Sequence, residues 1–259
     1  MIRSQEIKEK ARECGVPTST IERDYAQNWL LKYLCHPDII LKGGTGIKKV
    51  YHRNYRFSDD LDFSLTYPFK NKDLFIHMTE AVDKAKEEVG INFQISSKLD
   101  KTETGFKGKI YFNIIQNAAG TPLSIKIDIT NYDNEIILLP TEKKKVFHSY
   151  SDELNAEIEV YSLEEIFAEK IRALIQRTRA RDLYDTGMLY DLINKNKVLQ
   201  ILDEKFGFKG VFLDISSLTK RKDDFSNAWD ASLNHQLKVI PDFEIFFNKA
   251  ITIISEIKN

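Results

Sequence analysis

The chain has 259 residues, 42% of them hydrophobic and 30% charged, a composition that builds one large or two small packed domains and argues against disorder. A net charge of −1 leaves no global basic footprint for nucleic acid, though a local patch remains open. Two cysteines make neither a disulfide framework nor a metal knuckle. The charged start MIRSQEIKEK has no apolar signal core, and no apolar run reaches a membrane span, so a cytoplasmic protein with no membrane partner is expected.

The start reads as helical. Ser19 and Glu22 form a capping-box pattern, after which Tyr25, Trp29, Leu30 and Tyr33 recur at helical spacing until Pro37. Ile39 to Leu41 reads as a buried strand, broken by Gly43-Gly44 and followed by a short helix through Ile47, Val50 and Tyr51. Phe57 to Leu65 is the next expected strand, and 73–89 a helix with Phe75, Ile76, Ala81 and Val82 on one side. Strands are then expected over 91–95, 108–115 and 123–130, with a further one over 135–139. In the third, Ile125, Ile127 and Ile129 face one way and Lys126, Asp128 and Thr130 the other.

After about residue 159 the texture is helical. Ser162 to Glu165 repeats the capping box, and helices are expected over 162–177, 182–194, 197–206, 224–234 and 243–257. The fold class is therefore α+β, with a mixed-sheet unit over 1–158 and a helical unit over 159–259.

The chemistry concentrates between Leu41 and Leu65, in LKGGTGIKKVYHRNYRFSDDLDFSL. On a strand, Asp60 and Asp62 project from one face about 6–7 Å apart while Leu61 and Phe63 point into a core. If the strand bearing Asp128 is a neighbour, three carboxylates converge, and a divalent cation with oxygen ligands, Mg²⁺ or Mn²⁺, is the simplest compensation. The plain alternative is acids on a solvated strand face. Gly43 and Gly44, between a strand and a helix, let backbone N–H groups approach a phosphate.

A glycine-pair turn, a spacer and Asp-x-Asp on a strand resemble the signature of the DNA polymerase β-like nucleotidyltransferases. Three blocks in order, IERDYAQNWLLKYL, IILKGGTGIKKVYHRNYRFSDDLDFSL and EEIFAEKIRALIQRTRARDLYD, are similar to those of the AbiEii/AbiGii nucleotidyltransferase toxins. The resemblance implies that Gly43, Gly44 and Thr45 hold nucleotide phosphates, that Asp60 and Asp62 bind metal, and that Asp128 is the third acid. It gives Lys49 a basic nucleotide-binding position and places Ser58, the serine of an RxSxD block, among the nucleotide-binding residues and as a control point, since in related toxins this serine can be modified when the antitoxin inactivates the enzyme. TGIKK stands where many relatives have TSLSK, so two serine hydroxyls are absent. The implied reaction moves an NMP from an NTP to RNA, with the tRNA 3′ end foremost, and a separately encoded antitoxin restrains it. A protein hydroxyl as acceptor, or a non-catalytic binding module, are the alternatives.

The helix of the third block adds Lys170, which falls between Ile166 and Leu174 inside an apolar stripe, with Glu165, Glu169 and Arg172 outside it. A lysine there snorkels or meets an anion; the resemblance makes it catalytic, reaching a triphosphate. Arg177, Arg179 and Arg181 form the densest basic cluster, either a solvated surface or a phosphate clamp to which Arg181 contributes. Asp182, expected to cap the following helix, is preferred over Asp185 as the family's functional aspartate, with both left open.

Overall fold

The computed structural model describes residues 1–115 and 120–258. Contacts divide the chain into two compact units, 1–135 with 141–160, and 136–140 with 161–259.

The first unit opens with α1 (Ser4–Cys14) and α2 (Thr18–Leu34). The capping box expected at Ser19 does not form: α2 starts one residue earlier, behind Pro17, without a side-chain cap. Glu22 accepts a hydrogen bond from Ile115 N–H at 2.9 Å instead. Then come β1 (Ile39–Lys42), one helical turn α3 (Gly43–Gly46), a π-helical turn (Ile47–Tyr51), β2 (Leu61–Leu65) and α4 (Asn71–Val89). Strand β2 is shorter than its hydrophobic pattern suggests. The carbonyls of Ser58 and Asp60, free to join a ladder, accept from the Gln27 amide and the Thr45 hydroxyl, so the backbone before Leu61 is satisfied without a partner strand. On α4 the buried stripe is Leu74, Met78, Ala81, Val82, Ala85 and Val89, and Ile76, expected inside, is 44% exposed.

Strands β3 (Gln94–Ile95), β4 (Asp100–Lys101), β5 (Gly105–Phe112), β6 (Leu123–Thr130), β7 (Glu142–Lys145) and β8 (Glu157–Val160) complete one mixed sheet. Its order is β3-β5-β6-β2-β1-β8-β7, with β4 on β5. β2 pairs parallel to β6 and antiparallel to β1, and β8 runs parallel to β1. Ile125, Ile127 and Ile129 are fully buried, each contributing about 1.5–3 kcal/mol, in one core with residues of α1, α2 and α4. β7 reads as a loop because its sequence is EKKK; lysines are what an edge strand carries to discourage further pairing.

The second unit contains α5 (Leu163–Gln176), α6 (Ala180–Leu189), α7 (Lys195–Phe208), α8 (Ile215–Thr219), α9 (Lys222–Leu233) and α10 (Phe243–Lys258). Ser162 caps α5 by accepting from Glu165 N–H at 3.2 Å. The expectation that Glu165 and Arg172 lie outside the buried stripe is corrected: they are 0% and 7% exposed, because α6 and α7 pack against α5. Glu165 meets the Lys205 ammonium at 2.6 Å and accepts from the N–H groups of Leu138 and Leu139. That also explains why 135–139 is no strand: its donors go to a side-chain carboxylate. Among the described residues no helix is long and apolar enough to cross a membrane.

Candidate active site

Strand β1 ends at Lys42, and the chain turns through Gly43 at φ 69°, the left-handed region that glycine enters without strain. A Cβ on Gly43 would lie 2.8 Å from Asp62 Oδ2, and one on Gly44 would lie 2.7 Å from Arg56 Nη2 and 3.3 Å from Ser58 Oγ. Both glycines let backbone press against the side chains of the acidic segment. The turn and the Asp-x-Asp segment, 16 to 19 residues apart in sequence, are thus one structure.

Asp62 sits opposite Lys42 on β1 and opposite Asp128 on β6. The condition that the two acidic strands be neighbours is met, and Asp62 and Asp128 share a sheet face. Asp128 forms an ion pair with Lys107 at 3.3 Å. Asp60 lies just before β2 rather than on it, so the same-face argument from strand alternation does not apply to it. Asp59 is held by Arg23 at 2.9 Å.

Two expected nucleotide contacts are engaged elsewhere. Thr45 is fully buried and its hydroxyl donates to the Asp60 carbonyl, tying the turn to the start of β2. Lys49 is 2% exposed, and its ammonium donates to the Asp24 carbonyl and carboxylate at 2.7 Å each and to Asn28 Oδ1 at 2.6 Å. A lysine has three donors, so Lys49 has none to spare for a phosphate. Burial pushes its ammonium down to about 8, against the pull of Asp24. The reading from sequence passed over Arg56, which is 3% exposed, donates to the Phe57 carbonyl and rests its guanidinium against Gly44. Nothing in a basic stretch between two aromatics distinguishes a buried arginine from a solvated one.

In the second unit Lys170 meets anions rather than snorkelling. Its ammonium lies 2.9 Å from Asp182 and 2.8 Å from Asp185, and Arg177 Nε donates to the other oxygen of Asp182 at 2.9 Å. Asp182 does not cap α6: Arg179 stands at the cap position and Asp182 in the first turn. Burial disfavours the ionised Asp182, yet Lys170 and Arg177 outweigh it and hold its carboxyl below the ordinary aspartate range. Asp182 and Asp185 both bind the same lysine. Arg181 is half-buried and Arg179 exposed.

Asp60, Asp62 and Asp128 offer carboxylate oxygens only, the donors a hard divalent cation takes, and only a residue without a side chain fits beside Asp62 at position 43. The set fits Mg²⁺ or Mn²⁺ in donor chemistry. Among the described residues no three such side chains stand close enough together to hold an ion as they are.

Residues 29–249 match the family described as nucleotidyl transferase AbiEii toxin, type IV TA system. The fold is similar to that of MenT4, a nucleotidyltransferase toxin of Mycobacterium tuberculosis H37Rv, at TM-score 0.70 and 18% identity over 100% of this chain and 90% of that one. It is also similar to JHP933 of Helicobacter pylori, at TM-score 0.57 and 20% identity over 93% of each chain. At such identities the likeness speaks for the fold alone. No curated protein matches the chain in sequence.

Proposed function

Because the chain belongs to the AbiEii nucleotidyltransferase toxins of type IV toxin–antitoxin systems, we propose that it transfers an NMP from an NTP to an RNA acceptor, the 3′ end of tRNA, and so arrests growth. The observation that carries this reading is the register that sets Asp62 beside Asp128 while Gly43 touches Asp62. The backbone N–H groups of the Gly43-Gly44 turn would receive the NTP phosphates, with Arg56 and Ser58 flanking Gly44. Asp60, Asp62 and Asp128 would hold Mg²⁺, which when bound supplies charge neutralisation at the α-phosphate.

The acceptor oxygen forms a bond to the α-phosphorus as the bond to the bridging oxygen breaks and pyrophosphate leaves. The hydroxyl proton passes to a carboxylate of the Asp62–Asp128 row. Catalysis is then positioning and charge stabilisation. Lys170, its ammonium fixed by Asp182 and Asp185, would act as a catalytic cation and Arg181 as a nucleotide-binding one. A separately encoded antitoxin would restrain the enzyme, in the cytoplasm, as part of phage defence.

The test incubates the protein with Mg²⁺, total tRNA and each α-³²P-labelled NTP in turn, beside Asp62→Asn. Label on tRNA that falls by about 100-fold or more in the variant, about 2.7 kcal/mol of barrier, is the expected result. Label on protein alone, or none on any acceptor from folded protein, sinks the RNA reading.

A further inference from the structure

The sheet face that carries Asp62 and Asp128 continues beyond them. Directly paired residues share a face, so along β5 and β6 Lys107 stands beside Asp128, Lys109 beside Lys126 and Tyr111 beside Ser124. Successive rows are about 6.8 Å apart, two residues at about 3.4 Å each. Lys107, Lys109 and Lys126 are exposed. Lys107 is matched by Asp128. Lys109 and Lys126 face each other, and among the described residues neither ammonium has a carboxylate partner. Like charges directly opposite one another destabilise a strand pair, and an anion laid across the two strands relieves it.

The strand order says which anion. In the sequence of neighbours β5-β6-β2-β1, the carboxylate row lies on β2 and β6. The glycine turn follows β1, on one side of that row. The unmatched lysines lie on β6 and β5, on the other side. Two phosphate-attracting elements therefore flank the carboxylates, one for the nucleotide donor and one left over.

We propose that the Lys109–Lys126 row cradles the phosphate backbone of the RNA acceptor, one row from the carboxylates that its terminal hydroxyl must reach. The inference rests on the RNA-acceptor reading above and adds the surface that binds it. Tyr111, half-buried in the next row, presents a ring on which a base can stack. A single-stranded end suits the surface, since its phosphates repeat at a spacing close to that of the rows and its bases are free to stack.

The experiment is fluorescence anisotropy of the full chain with fluorescein-labelled tRNA across a salt series, for the native protein, Lys109→Gln/Lys126→Gln, and Lys84→Gln/Lys86→Gln. The last pair is exposed on α4 and makes the same change in net charge. The expected result is several-fold weaker RNA binding in K109Q/K126Q, with the slope of log affinity against log salt reduced by about 1.4, at about 0.7 per phosphate contact on a single strand. Its acceptor KM rises while its NTP KM stays, and its Tm without RNA is no lower, since a repulsion has been removed. K84Q/K86Q keeps the native slope. An unchanged slope in K109Q/K126Q, or an equal loss in K84Q/K86Q, overturns the inference while leaving the RNA reading intact if tRNA is still labelled. Native protein that binds no RNA and labels only protein overturns both.

Discussion

Gly43 is where a single atom matters most. Its φ of 69° and the 2.8 Å separation of a notional Cβ from Asp62 Oδ2 mean that any side chain both strains the turn and displaces the carboxylate. The left-handed conformation costs a non-glycine residue about 1–2 kcal/mol, so Gly43→Ala is expected to lower stability in urea by about that amount. Its transfer activity should fall much further, because Asp62 is moved. Activity that tracks stability alone would argue against contact between turn and carboxylate as a working part of the site. Lys49 and Thr45 carry the opposite lesson. Both stand in the segment expected to contact nucleotide, and both are spent holding that segment in place. Residue type and spacing identified the segment; which way each polar group turns depended on partners far along the chain, such as Asp24 and Asn28.

At the level of elements, α5 shows why periodicity has limits. A helix packed on one side buries one stripe, and Glu165 falls outside that stripe by angle. In the structure it is fully buried because α7 brings Lys205, also 0% exposed, to within 2.6 Å, and because residues 136–140 turn their N–H groups toward it. Removing one member leaves a buried, uncompensated charge, at a cost of about 3–5 kcal/mol. Lys205→Met is expected to show that loss in urea denaturation of the full chain. Lys205→Met combined with Glu165→Leu should recover part of it, the remainder being the lost acceptor for Leu138 and Leu139. A single variant as stable as the native protein would refute the account. The strand signals were more legible: the alternation of 123–130 placed its isoleucines correctly, because a strand with one face on the core and the other toward solvent writes its environment into every second residue. The edge strand β7 wrote nothing apolar and was not seen.

For the whole molecule, acid stability draws on a largely enclosed, cation-paired carboxylate in each unit, Asp24 and Asp182. Asp24 and Asp182 both ionise below the ordinary aspartate range: burial opposes the charge in each, but Lys49 and Lys48 in one case and Lys170 and Arg177 in the other overcome it. A depressed folded-state pKa contributes stability that is complete above the unfolded value of about 3.8 and is lost as pH falls below it toward the folded value. Thermal unfolding followed from neutral pH downward should therefore decline steeply below about pH 4. Asp182→Asn should start less stable at neutral pH, since two cations then face an amide, and should show a shallower acid decline. An acid limb identical to that of the native protein would remove Asp182 from the explanation.

The sequence by itself determined the α+β class, the change to helices after the sheet, the family, and the glycine-turn and Asp-x-Asp pattern that carries the resemblance. Those are properties of local pattern, where periodicity, turn residues and spacing are set by neighbours a few positions away. Only the tertiary structure decided that Asp62 lies against Asp128, that Lys49 is buried and Arg56 rests on Gly44, that Lys170 is shared by two aspartates, and that Lys109 faces Lys126. Each of these is a pairing between segments distant in sequence, fixed by strand register and helix packing, and no residue carries a mark of its partner until the chain has folded.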